Sequence, residues 1–559
     1  MNYFSSDVSV VIAGAAGQGI KTIEKILSII LKDKGLYIFS TSEYMSRVRG
    51  GINSTEIRIS ATEKESFVDR IDILIALDEQ AILHLKNRIT DNTIIFDEKT
   101  VAFSNILKML GGKIYLNNVA LGLMLSLFNV EKSFYQKQLE KQFGKKGEEV
   151  LKKNILAVEK GYEVTKSLIA ANKIKTFSII ANNDFSHQTL MTGTEAIGAG
   201  AIAGGCNFAC AYPMSPSTGV FTYLAQRGHT QHIKVEQVED EIAAVNMALG
   251  AWYAGARAMT TTSGGGFALM TEGISLAGML ETPVVIMIGE RPGPATGLPT
   301  RTEQGDLNLA LYAGHGEFPR AIFAPGTLKE AYEVTAHAFN VADKFQVPVI
   351  ILADQNFLDA YGLTDEIDPN KRMTESHIVK TDKNYKRYAL TNNGISPRGI
   401  PGFGEGIVRV DSDEHTEEGL ITESAEVRVA MQNKRMKKLE GMTAEALEPI
   451  FIGEKDYDYL LIDWGSNFGV LKEAIQNAAL KEKVAMLHFA QVYPLHPKTK
   501  NYLEKAKKVM VIENNFEGQF ARLLEREFKR PMDECILQYN GSPFSVEKLA
   551  KSILDVISM

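Results

Sequence analysis

Cysteine is scarce in this sequence, since only Cys206, Cys210 and Cys535 occur among its 559 residues. So few thiols cannot form a disulfide framework in a chain of this length, and an iron–sulfur cluster normally needs four cysteine ligands. Cys206 and Cys210 lie in the apolar stretch GGCNFACAYP, where a free cysteine usually behaves as a small buried hydrophobe. The sequence therefore predicts no cluster and no bound metal in this chain.

Long hydrophobic runs and an excess of positive charge are also absent. The first apolar run, VSVVIAG, has only the length of a strand and no basic segment precedes it, which fits neither a signal peptide nor a membrane span. The formal net charge is -7, whereas nucleic-acid binding normally needs a basic face. We therefore expect a cytoplasmic protein that binds neither membranes nor nucleic acid.

What the sequence does contain is a repeated alternation of strand-like and helix-like segments. Residues 1–186 alternate short β-rich runs with helical patterns and end in the polar stretch IANNDFSHQ, which indicates a linker. Residues 187–365 carry near-continuous apolar strands between helices, which is typical of a doubly wound parallel sheet covered on both faces. Both segments predict the α/β fold class.

The last third of the chain is less regular. Residues 366–455 are rich in Gly, Pro and charge, as in GISPRGIPGFGEG and DSDEHTEEG. Such a long irregular excursion is usually functional or forms an interface. Three further strand-like runs, YDYLLIDWG, KVAMLHFAQVYP and KKVMVIENN, predict a smaller α/β domain over residues 456–559. The sequence therefore predicts three α/β domains, with the excursion between the second and the third.

A glycine-rich loop, AGAAGQG, lies between the first predicted strand and the first predicted helix. Its backbone N–H groups could hold a phosphate, such as one from coenzyme A, at the start of the helix. The candidate residues are Gly14, Gly17, Gln18 and Gly19. The glycines equally allow tight packing of strand on helix, and both interpretations stay open. Arg47 and Arg49, a short distance further on, could meet an anionic ligand or form surface ion pairs.

Two more segments carry side chains suited to chemistry. In Tyr212-Pro213-Met214-Ser215-Pro216-Ser217-Thr218, two prolines stiffen a loop whose hydroxyls could face a ligand or cap the next helix. The acidic segment EQVEDE ends in Glu241. A single positioned carboxyl there could act in acid–base chemistry, although acids at a helix start also stabilise the helix dipole by about 0.3–1 kcal/mol.

A basic residue comes directly after the apolar strand TPVVIMI and the short stretch GE. Arg291 leaves this strand in a Gly- and Pro-rich loop, at the edge where open α/β sheets bind ligands. An arginine in such a position can bind a carboxylate with two parallel hydrogen bonds. An ion pair with the adjoining Glu290 or with another neighbouring acid is the alternative.

These stretches together resemble the alpha subunits of 2-oxoacid:ferredoxin oxidoreductases, whose pyrimidine-binding domain carries a YPITPST-type loop. Ser215 stands here where the family usually has Thr. ISPRGIPG, DSDEHTEEG and ENNFEGQ resemble other parts of the same subunits, so the resemblance extends over nearly the whole chain. It implies a Rossmann-like gamma domain fused at the N-terminus, a pyrimidine-binding domain for thiamine diphosphate, and a transketolase C-terminal-like domain.

The resemblance also implies roles for single residues. Glu241 aligns with the glutamate that activates thiamine diphosphate, and Arg291 with the residue that binds the carboxylate of the 2-oxoacid. Thr300 matches a substrate-facing threonine in a GQPT-like turn of the family. Leu298 stands in this turn where the family usually has Gln. The implied substrate-binding residues are Ser215, Arg291 and Thr300. The implied residues beside the cofactor are Tyr212 and Pro213.

Half of the family's active site is missing from this chain. It has no GDG motif followed by an Asn-Asn pair for magnesium and diphosphate, and no cysteine set for a cluster. The resemblance places Mg²⁺ and a [4Fe–4S] cluster on a separate beta subunit, with ferredoxin as electron acceptor and coenzyme A as co-substrate. It implies oxidative decarboxylation of a 2-oxoacid, most like 2-oxoglutarate to succinyl-CoA. Pyruvate or a branched-chain 2-oxoacid is the alternative substrate, and a nucleotide-binding regulatory or scaffold subunit is the alternative function.

Overall fold

A computed structural model describes most of the chain, in the ranges 2–4, 6–45, 51–174, 176–179, 185–478 and 483–558. Arg47, Arg49 and residues 180–184 of the predicted linker lie outside these ranges. The chain divides into two compact units. The first unit comprises residues 1–191, 359–366 and 545–548, and the second comprises residues 192–358, 367–544 and 549–559.

The strands, in chain order, are β1 (Asn2–Phe4), β2 (Asp7–Ala15), β3 (Tyr37–Glu43), β4 (Ile52–Ser60), β5 (Ile73–Ala76), β6 (Ile94–Phe96), β7 (Thr176–Ser178), β8 (Thr189–Thr192), β9 (Phe208–Ala211), β10 (Lys234–Gln237), β11 (Ala258–Ser263), β12 (Val284–Glu290), β13 (Ala321–Phe323), β14 (Pro348–Asp354), β15 (Tyr361–Thr364), β16 (Ile450–Gly453), β17 (Tyr459–Trp464), β18 (Val484–Phe489), β19 (Gln491–Tyr493), β20 (Lys508–Glu513) and β21 (Glu534–Leu537).

The α-helices are α1 (Ile20–Asp33), α2 (Glu79–His84), α3 (Glu98–Val101), α4 (Phe103–Leu110), α5 (Leu116–Leu127), α6 (Lys132–Phe143), α7 (Glu148–Ala170), α8 (Gly193–Ala203), α9 (Thr218–Gln231), α10 (Glu241–Tyr253), α11 (Gly264–Leu269), α12 (Thr271–Leu280), α13 (Leu307–Tyr312), α14 (Leu328–Phe345), α15 (Gln355–Asp359), α16 (Ala425–Ala444), α17 (Asn467–Ala478), α18 (Thr499–Lys505), α19 (Gln519–Phe528) and α20 (Val546–Ile557).

The first unit is built around a mixed sheet with the strand order β6-β5-β2-β4-β3-β15-β8. Strand β2 pairs antiparallel with β4 from Asp7↔Ser60 to Ala15↔Ile52, and parallel with β5. The apolar run of β2 is buried because the sheet is covered, and α1 turns an isoleucine- and leucine-rich face into the same core. The β-rich runs of the N-terminal sequence therefore become neighbouring strands of one sheet.

The second unit contains two sheets. The larger has the order β10-β9-β11-β12-β14-β13-β19, in which neighbouring strands are parallel except β19, which pairs antiparallel with β13. The smaller has the order β16-β18-β17-β20-β21, with β16 antiparallel to β18. Strands β12 and β14 are buried at every residue. This burial explains their near-continuous apolar sequence, which predicted a parallel sheet covered on both faces. The α/β fold class is confirmed.

The segment predicted as an irregular excursion is irregular only in part. Its backbone runs without regular strands or helices from Ile367 to Ser424, apart from isolated bridges such as Ile378↔Arg398. It then forms α16, a helix that the sequence did not predict. The excursion is held down by Arg398, whose Nη2 lies 2.5 Å from Asp343 Oδ1 on α14.

A buried ion cluster joins α16 to the end of α12. The carboxylate of Glu281 lies 2.6 Å from Lys434 Nζ and 2.5 Å from Lys438 Nζ, and all three side chains are buried. Arg387 donates from Nη2 to the backbone oxygen of Glu281 at 2.6 Å. Burial alone would raise the pKa of Glu281, but the charges of Lys438 and Lys434 hold it well below its ordinary value. Lysines that would otherwise be excluded from a core are tolerated here because they are paired.

Membrane spans and metal sites are both absent from the described residues. Within the ranges given above, no helix is both long enough and apolar enough to cross a membrane. The same ranges contain no group of three or more His, Cys, Asp or Glu side chains arranged to hold a metal ion. Cys206 and Cys210 are buried, as predicted, and burial raises the pKa of both thiols to about 12.

Candidate active site

The predicted site residues of the second unit meet at one edge of its larger sheet. The carboxyl ends of parallel strands lie at the same edge, and β10, β9, β11 and β12 are consecutive neighbours. The loop 212–217 follows β9, Glu241 follows β10, and Arg291 directly follows β12. The strand order reverses between β9 and β11, which is where open α/β sheets bind ligands. Segments far apart in sequence are thus brought together.

Four carboxyls crowd the segment between β10 and α10, and the structure separates their roles. Glu236 and Glu239 are exposed. Asp240 caps α10, because its Oδ1 accepts a hydrogen bond of 2.7 Å from the backbone N–H of Ala243. Glu241 is only 3% exposed, and its Oε1 has no hydrogen-bond partner among the described residues. Glu241 is therefore the one of these four carboxyls that is buried with an unpaired oxygen.

The first turn of α11, which begins with three glycines, lies directly against the carboxyl of Glu241. A Cβ atom on Gly266 would overlap Thr262 Oγ1 and would lie 2.5 Å from Glu241 Oε1, so only glycine allows the turn to approach so closely. Leaving a buried acceptor unpaired costs about 1–3 kcal/mol, and more when it is charged. A heterocycle with a ring nitrogen that can share a proton with this carboxyl would satisfy Glu241, so the residues present fit the aminopyrimidine of thiamine diphosphate.

The stiff loop after β9 and the arginine after β12 are in direct contact. Arg291 Nη1 donates a hydrogen bond of 2.8 Å to the backbone oxygen of Ser215. Ser217 Oγ donates to the oxygen of Met214 at 2.8 Å and makes no cap on α9, so the hydroxyl closes the loop on itself. The helix-capping interpretation of this serine was wrong. These hydrogen bonds join the loop and Arg291 into one rim along the edge of the sheet.

The remaining predicted residues belong to the two loops that leave β9 and β12. Tyr212 is 41% exposed, and Pro213 and Ser215 are exposed as well. Thr300 is half-buried in the loop that begins with Arg291. Exposed side chains at a ligand-binding edge are available to substrate, cofactor or partner.

Two acids joined by a hydrogen bond, the buried Glu290 and the partly buried Asp306, were not singled out as a pair from the sequence. Glu290 is buried and its Oε1 accepts a hydrogen bond of 3.1 Å from the backbone N–H of Asp306. Burial and then the charge of Asp306 raise the pKa of Glu290 well above its ordinary value. Burial also raises the pKa of Asp306 to about 6, although the charge of Arg291 opposes this. Burial lowers the pKa of Arg291, and the charge of Asp306, fifteen residues downstream, opposes this.

The loop from Arg291 to Asp306 is anchored on the smaller sheet. The backbone N–H of Gln304 donates to the oxygen of Asn514 at 2.7 Å, and its side-chain Nε2 donates to the oxygen of Trp464 at 2.8 Å. Its Oε1 accepts hydrogen bonds from Asn514 N at 3.0 Å and from Asn467 Nδ2 at 2.9 Å. The ENN stretch therefore acts as a scaffold for the substrate-side loop.

The glycine-rich loop of the first unit is closed on itself. Gln18 Oε1 accepts a hydrogen bond of 2.8 Å from the backbone N–H of Ala15, which takes up one donor that a phosphate would use. A Cβ on Gly14 would overlap this oxygen and lie 2.9 Å from Leu77 Cβ. These contacts favour the packing interpretation, and phosphate binding by the loop stays a prediction.

Two family models match separate parts of the chain. Residues 199–434 match the model described as pyruvate flavodoxin/ferredoxin oxidoreductase, thiamine diphosphate-binding. Residues 9–164 match the model described as pyruvate ferredoxin/flavodoxin oxidoreductase. The first range contains Glu241, Arg291 and the loop between β9 and α9.

A full-length relative decides the family. The 2-oxoacid:ferredoxin oxidoreductase subunit alpha of Sulfolobus sp. is 30% identical, over 98% of this chain and 97% of that protein. The chain belongs to the 2-oxoacid:ferredoxin oxidoreductase alpha subunits. It is thus a subunit of an oxidoreductase, and both the predicted family and the predicted enzyme class are confirmed.

Two further proteins similar to this alpha subunit carry names with a substrate. The 2-oxoglutarate synthase subunit KorA of Methanocaldococcus jannaschii is 33% identical over 65% of this chain and 98% of its own length. A solved structure of 2-oxoglutarate:ferredoxin oxidoreductase from Magnetococcus marinus, with 2-oxoglutarate, coenzyme A and succinyl-CoA bound, has a TM-score of 0.92 and 30% identity. The match covers 99% of this chain and 100% of that chain.

Proposed function

We propose that this alpha subunit provides the pyrimidine half of a thiamine-diphosphate site and catalyses the CoA-dependent oxidative decarboxylation of 2-oxoglutarate to succinyl-CoA. The observation that carries the proposal is the buried, unpartnered carboxyl of Glu241, beside Gly266 and on the same sheet edge as Arg291. The names of the Methanocaldococcus and Magnetococcus proteins support 2-oxoglutarate as the substrate.

Thiamine diphosphate, when bound, supplies a nucleophilic carbon and an electron sink for the decarboxylation. The residues of this chain prepare that chemistry. The carboxyl of Glu241 shares a hydrogen bond, and the proton in it, with a ring nitrogen of the pyrimidine, and its burial keeps water from competing for the carboxyl. Arg291 binds the carboxylate of the substrate with its charged fork, while Ser215 and Thr300 contact the rest of the substrate. Tyr212 and Pro213 form the wall beside the cofactor.

The other half of the site belongs to a beta subunit. Because this sequence lacks the GDG…Asn-Asn pattern and a four-cysteine set, we infer that the partner binds the diphosphate, Mg²⁺ and a [4Fe–4S] cluster. That cluster would carry the electrons to ferredoxin, and coenzyme A would be the acceptor of the acyl group. The alpha subunit alone is expected to be inactive. A native complex that contains one kind of subunit and no iron would contradict the whole scheme.

A monocarboxylic 2-oxoacid is the second candidate substrate, and the charge around Arg291 favours it. Glu290, Glu303 and Asp306 all lie near the strand end from which Arg291 leaves. A second carboxylate on the substrate would be repelled by those of these acids that are ionised, Asp306 first at neutral pH, unless the beta subunit supplied another cation. Initial rates of the reconstituted complex with 2-oxoglutarate, pyruvate and 3-methyl-2-oxobutanoate separate the candidates. Strong turnover of either monocarboxylate beside weak turnover of 2-oxoglutarate would overturn our choice.

Arg291 gives a direct test of the substrate site. We expect Arg291→Ala to lower kcat/KM for the 2-oxoacid by about 10- to 150-fold, since a hydrogen bond to a charged group contributes about 1.5–3 kcal/mol. Arg291→Lys should recover only part of this, because an ammonium group lacks the planar fork. The measurement is steady-state kinetics of the complex with ferredoxin as acceptor.

The matched control is Arg227→Lys on α9, where the guanidinium stacks 3.5 Å from the ring centroid of Tyr223. This variant should keep both the KM for the 2-oxoacid and the KM for coenzyme A. An Arg291→Ala enzyme with an unchanged KM for the 2-oxoacid would remove the assigned role. A rise in the KM for coenzyme A of the same size would show general damage instead.

A further inference from the structure

Gln304 lies at the place in the smaller sheet where a bound ligand would be expected. In that sheet β17 is followed in the chain by β18 on one side and β20 by β21 on the other, so the order reverses between β17 and β20. Open α/β sheets bind ligands at such a reversal, beyond the carboxyl ends of the strands. Gln304 is only 1% exposed and fills this position with its side-chain amide, although its loop leaves the larger sheet. The smaller sheet thus binds part of its own chain.

Both ends of the Gln304 amide are bonded to the two strand ends. Its Nε2 donates to the oxygen of Trp464, the last residue of β17, at 2.8 Å. Its Oε1 accepts from the backbone N–H of Asn514, directly after β20, at 3.0 Å and from Asn467 Nδ2 at 2.9 Å. A Cβ on Gly465 would lie 3.0 Å from Gln304 Nε2, so a glycine lets this turn approach the amide closely. Because one end must donate and the other must accept, neither a carboxylate nor an apolar side chain would replace the amide.

The backbone around Gln304 is held by the same sheet. The N–H of Thr302 donates to the oxygen of Gly541, which follows β21, at 3.3 Å. The oxygen of Gln304 accepts a hydrogen bond of 3.1 Å from Asn515 Nδ2. Thr300 lies two residues before the first of these anchors and four before the second. The smaller sheet therefore fixes the chain directly after Thr300.

We propose that Gln304 is a positioning residue, which binds the smaller sheet as an internal ligand and thereby holds Thr300 where the 2-oxoacid binds. The inference rests on the proposed function of Thr300 as a substrate-binding residue. Gln304 itself does not touch the substrate in this scheme. Arg291 is anchored separately, through its hydrogen bond of 2.8 Å to the backbone oxygen of Ser215. The smaller sheet thus contributes to substrate affinity through Thr300.

The test is a double-mutant cycle in complexes reconstituted with the beta subunit. Gln304→Ala should raise the KM for the 2-oxoacid by about fivefold, the loss of one neutral hydrogen bond of average strength, with the kcat of intact complex changed less than about twofold. Thr300→Val removes the hydroxyl, keeps the shape of the side chain, and should raise the KM of the wild type by a similar factor. Added to Gln304→Ala, it should change the KM by less than about 1.5-fold, because the hydroxyl is already displaced. A merely structural Gln304 would lower the yield of complex and leave the KM unchanged.

Two further variants complete the experiment. Gln491→Ala is the matched control, because Gln491 is also buried and its amide is bonded at both ends, from Leu447 N at 2.9 Å and to Pro494 O at 3.0 Å. It should keep the KM for the 2-oxoacid. Where Gln304→Ala fails to assemble, Asn467→Ala replaces it, since this change removes one donor to Gln304 and should raise the KM by about twofold.

The KM is measured for whichever of 2-oxoglutarate and pyruvate the wild-type complex turns over faster. An unchanged KM in Gln304→Ala, or in Asn467→Ala where the first variant does not assemble, would overturn the role of Gln304 and leave the proposed function intact. Equal factors from Thr300→Val with and without Gln304 would do the same. A wild-type complex that turns over no 2-oxoacid would overturn the proposed function and this inference with it.

Discussion

Replacement of Glu241 by Gln is expected to lower the kcat of the assembled complex by about 100- to 10,000-fold, the usual contribution of a positioned acid–base group. Glutamine keeps the length and the burial of the side chain, so the packing against Gly266 is retained. It cannot hold or release a proton in the pH range of the assay. The loss should therefore appear in kcat, with the KM for the 2-oxoacid and the KM for coenzyme A changed little.

The chain offers a matched control two residues away. Glu239→Gln removes an exposed carboxyl from the same segment and should leave kcat unchanged. An unchanged kcat of Glu241→Gln at a saturating concentration of thiamine diphosphate would contradict the proposed role. It would favour a regulatory or scaffold subunit that merely keeps the fold. The iron content and the subunit stoichiometry of both variants should be measured, so that only intact complexes are compared.

A second variant tests the placement of Glu241 rather than its chemistry. A methyl group on Gly266 would lie 2.5 Å from Glu241 Oε1, so Gly266→Ala should displace the carboxyl or fill the space beside it. Thiamine diphosphate binding to the complex should weaken in step with activity. Gly250→Ala on α10 is the control, because a Cβ there meets nothing within 4 Å.

Replacement of Glu281 by Ala is expected to lower the free energy of unfolding by about 3–5 kcal/mol, the usual effect of removing one partner from a buried ion pair. The change leaves Lys434 and Lys438 without a counter-charge in the core. The excursion and α16, which these lysines attach to α12, should open first. Amide hydrogen exchange of residues 378–444 therefore reports the loss more directly than a global melting curve, because a chain of several units need not unfold in one step.

The pH dependence of this variant has a definite sign. Burial lowers the pKa of Lys438 to about 8, from an ordinary value of 10.5, even with Glu281 present to oppose the shift. Between these values the unfolded chain binds more protons than the folded one, so stability rises with pH. Without Glu281 the shift is larger, and raising the pH from about 7 to about 9 should restore part of the lost stability.

The control for Glu281 is an exposed ion pair at the end of α16. Glu445→Ala removes the partner of Lys344 at the surface, a loss of about 0–1 kcal/mol. Equal exchange rates in Glu281→Ala and Glu445→Ala would show that the buried cluster does not hold the excursion.

The sequence alone determined the fold class, the family and the candidate residues at the sheet edge. Its continuous apolar runs predict buried parallel strands, and parallel strands necessarily deliver their carboxyl-end loops to one edge. The loop that starts at Tyr212 and the arginine at position 291 could therefore be placed near each other before any contact was seen. The identity of the residues that come directly after a buried strand is local information, and the sequence carries it.

Only the tertiary structure decided which groups share a buried space. It showed that Asp240 caps a helix while the neighbouring Glu241 is buried without a partner among the described residues. It also brought the backbone N–H of Asp306 to Glu290 and the lysines of α16 to Glu281. Desolvation and pairing of charge depend on contacts between residues far apart in the chain, and neither composition nor spacing encodes such contacts. The glutamate beside Gly266 could therefore be matched to a motif, but its burial could not be foreseen.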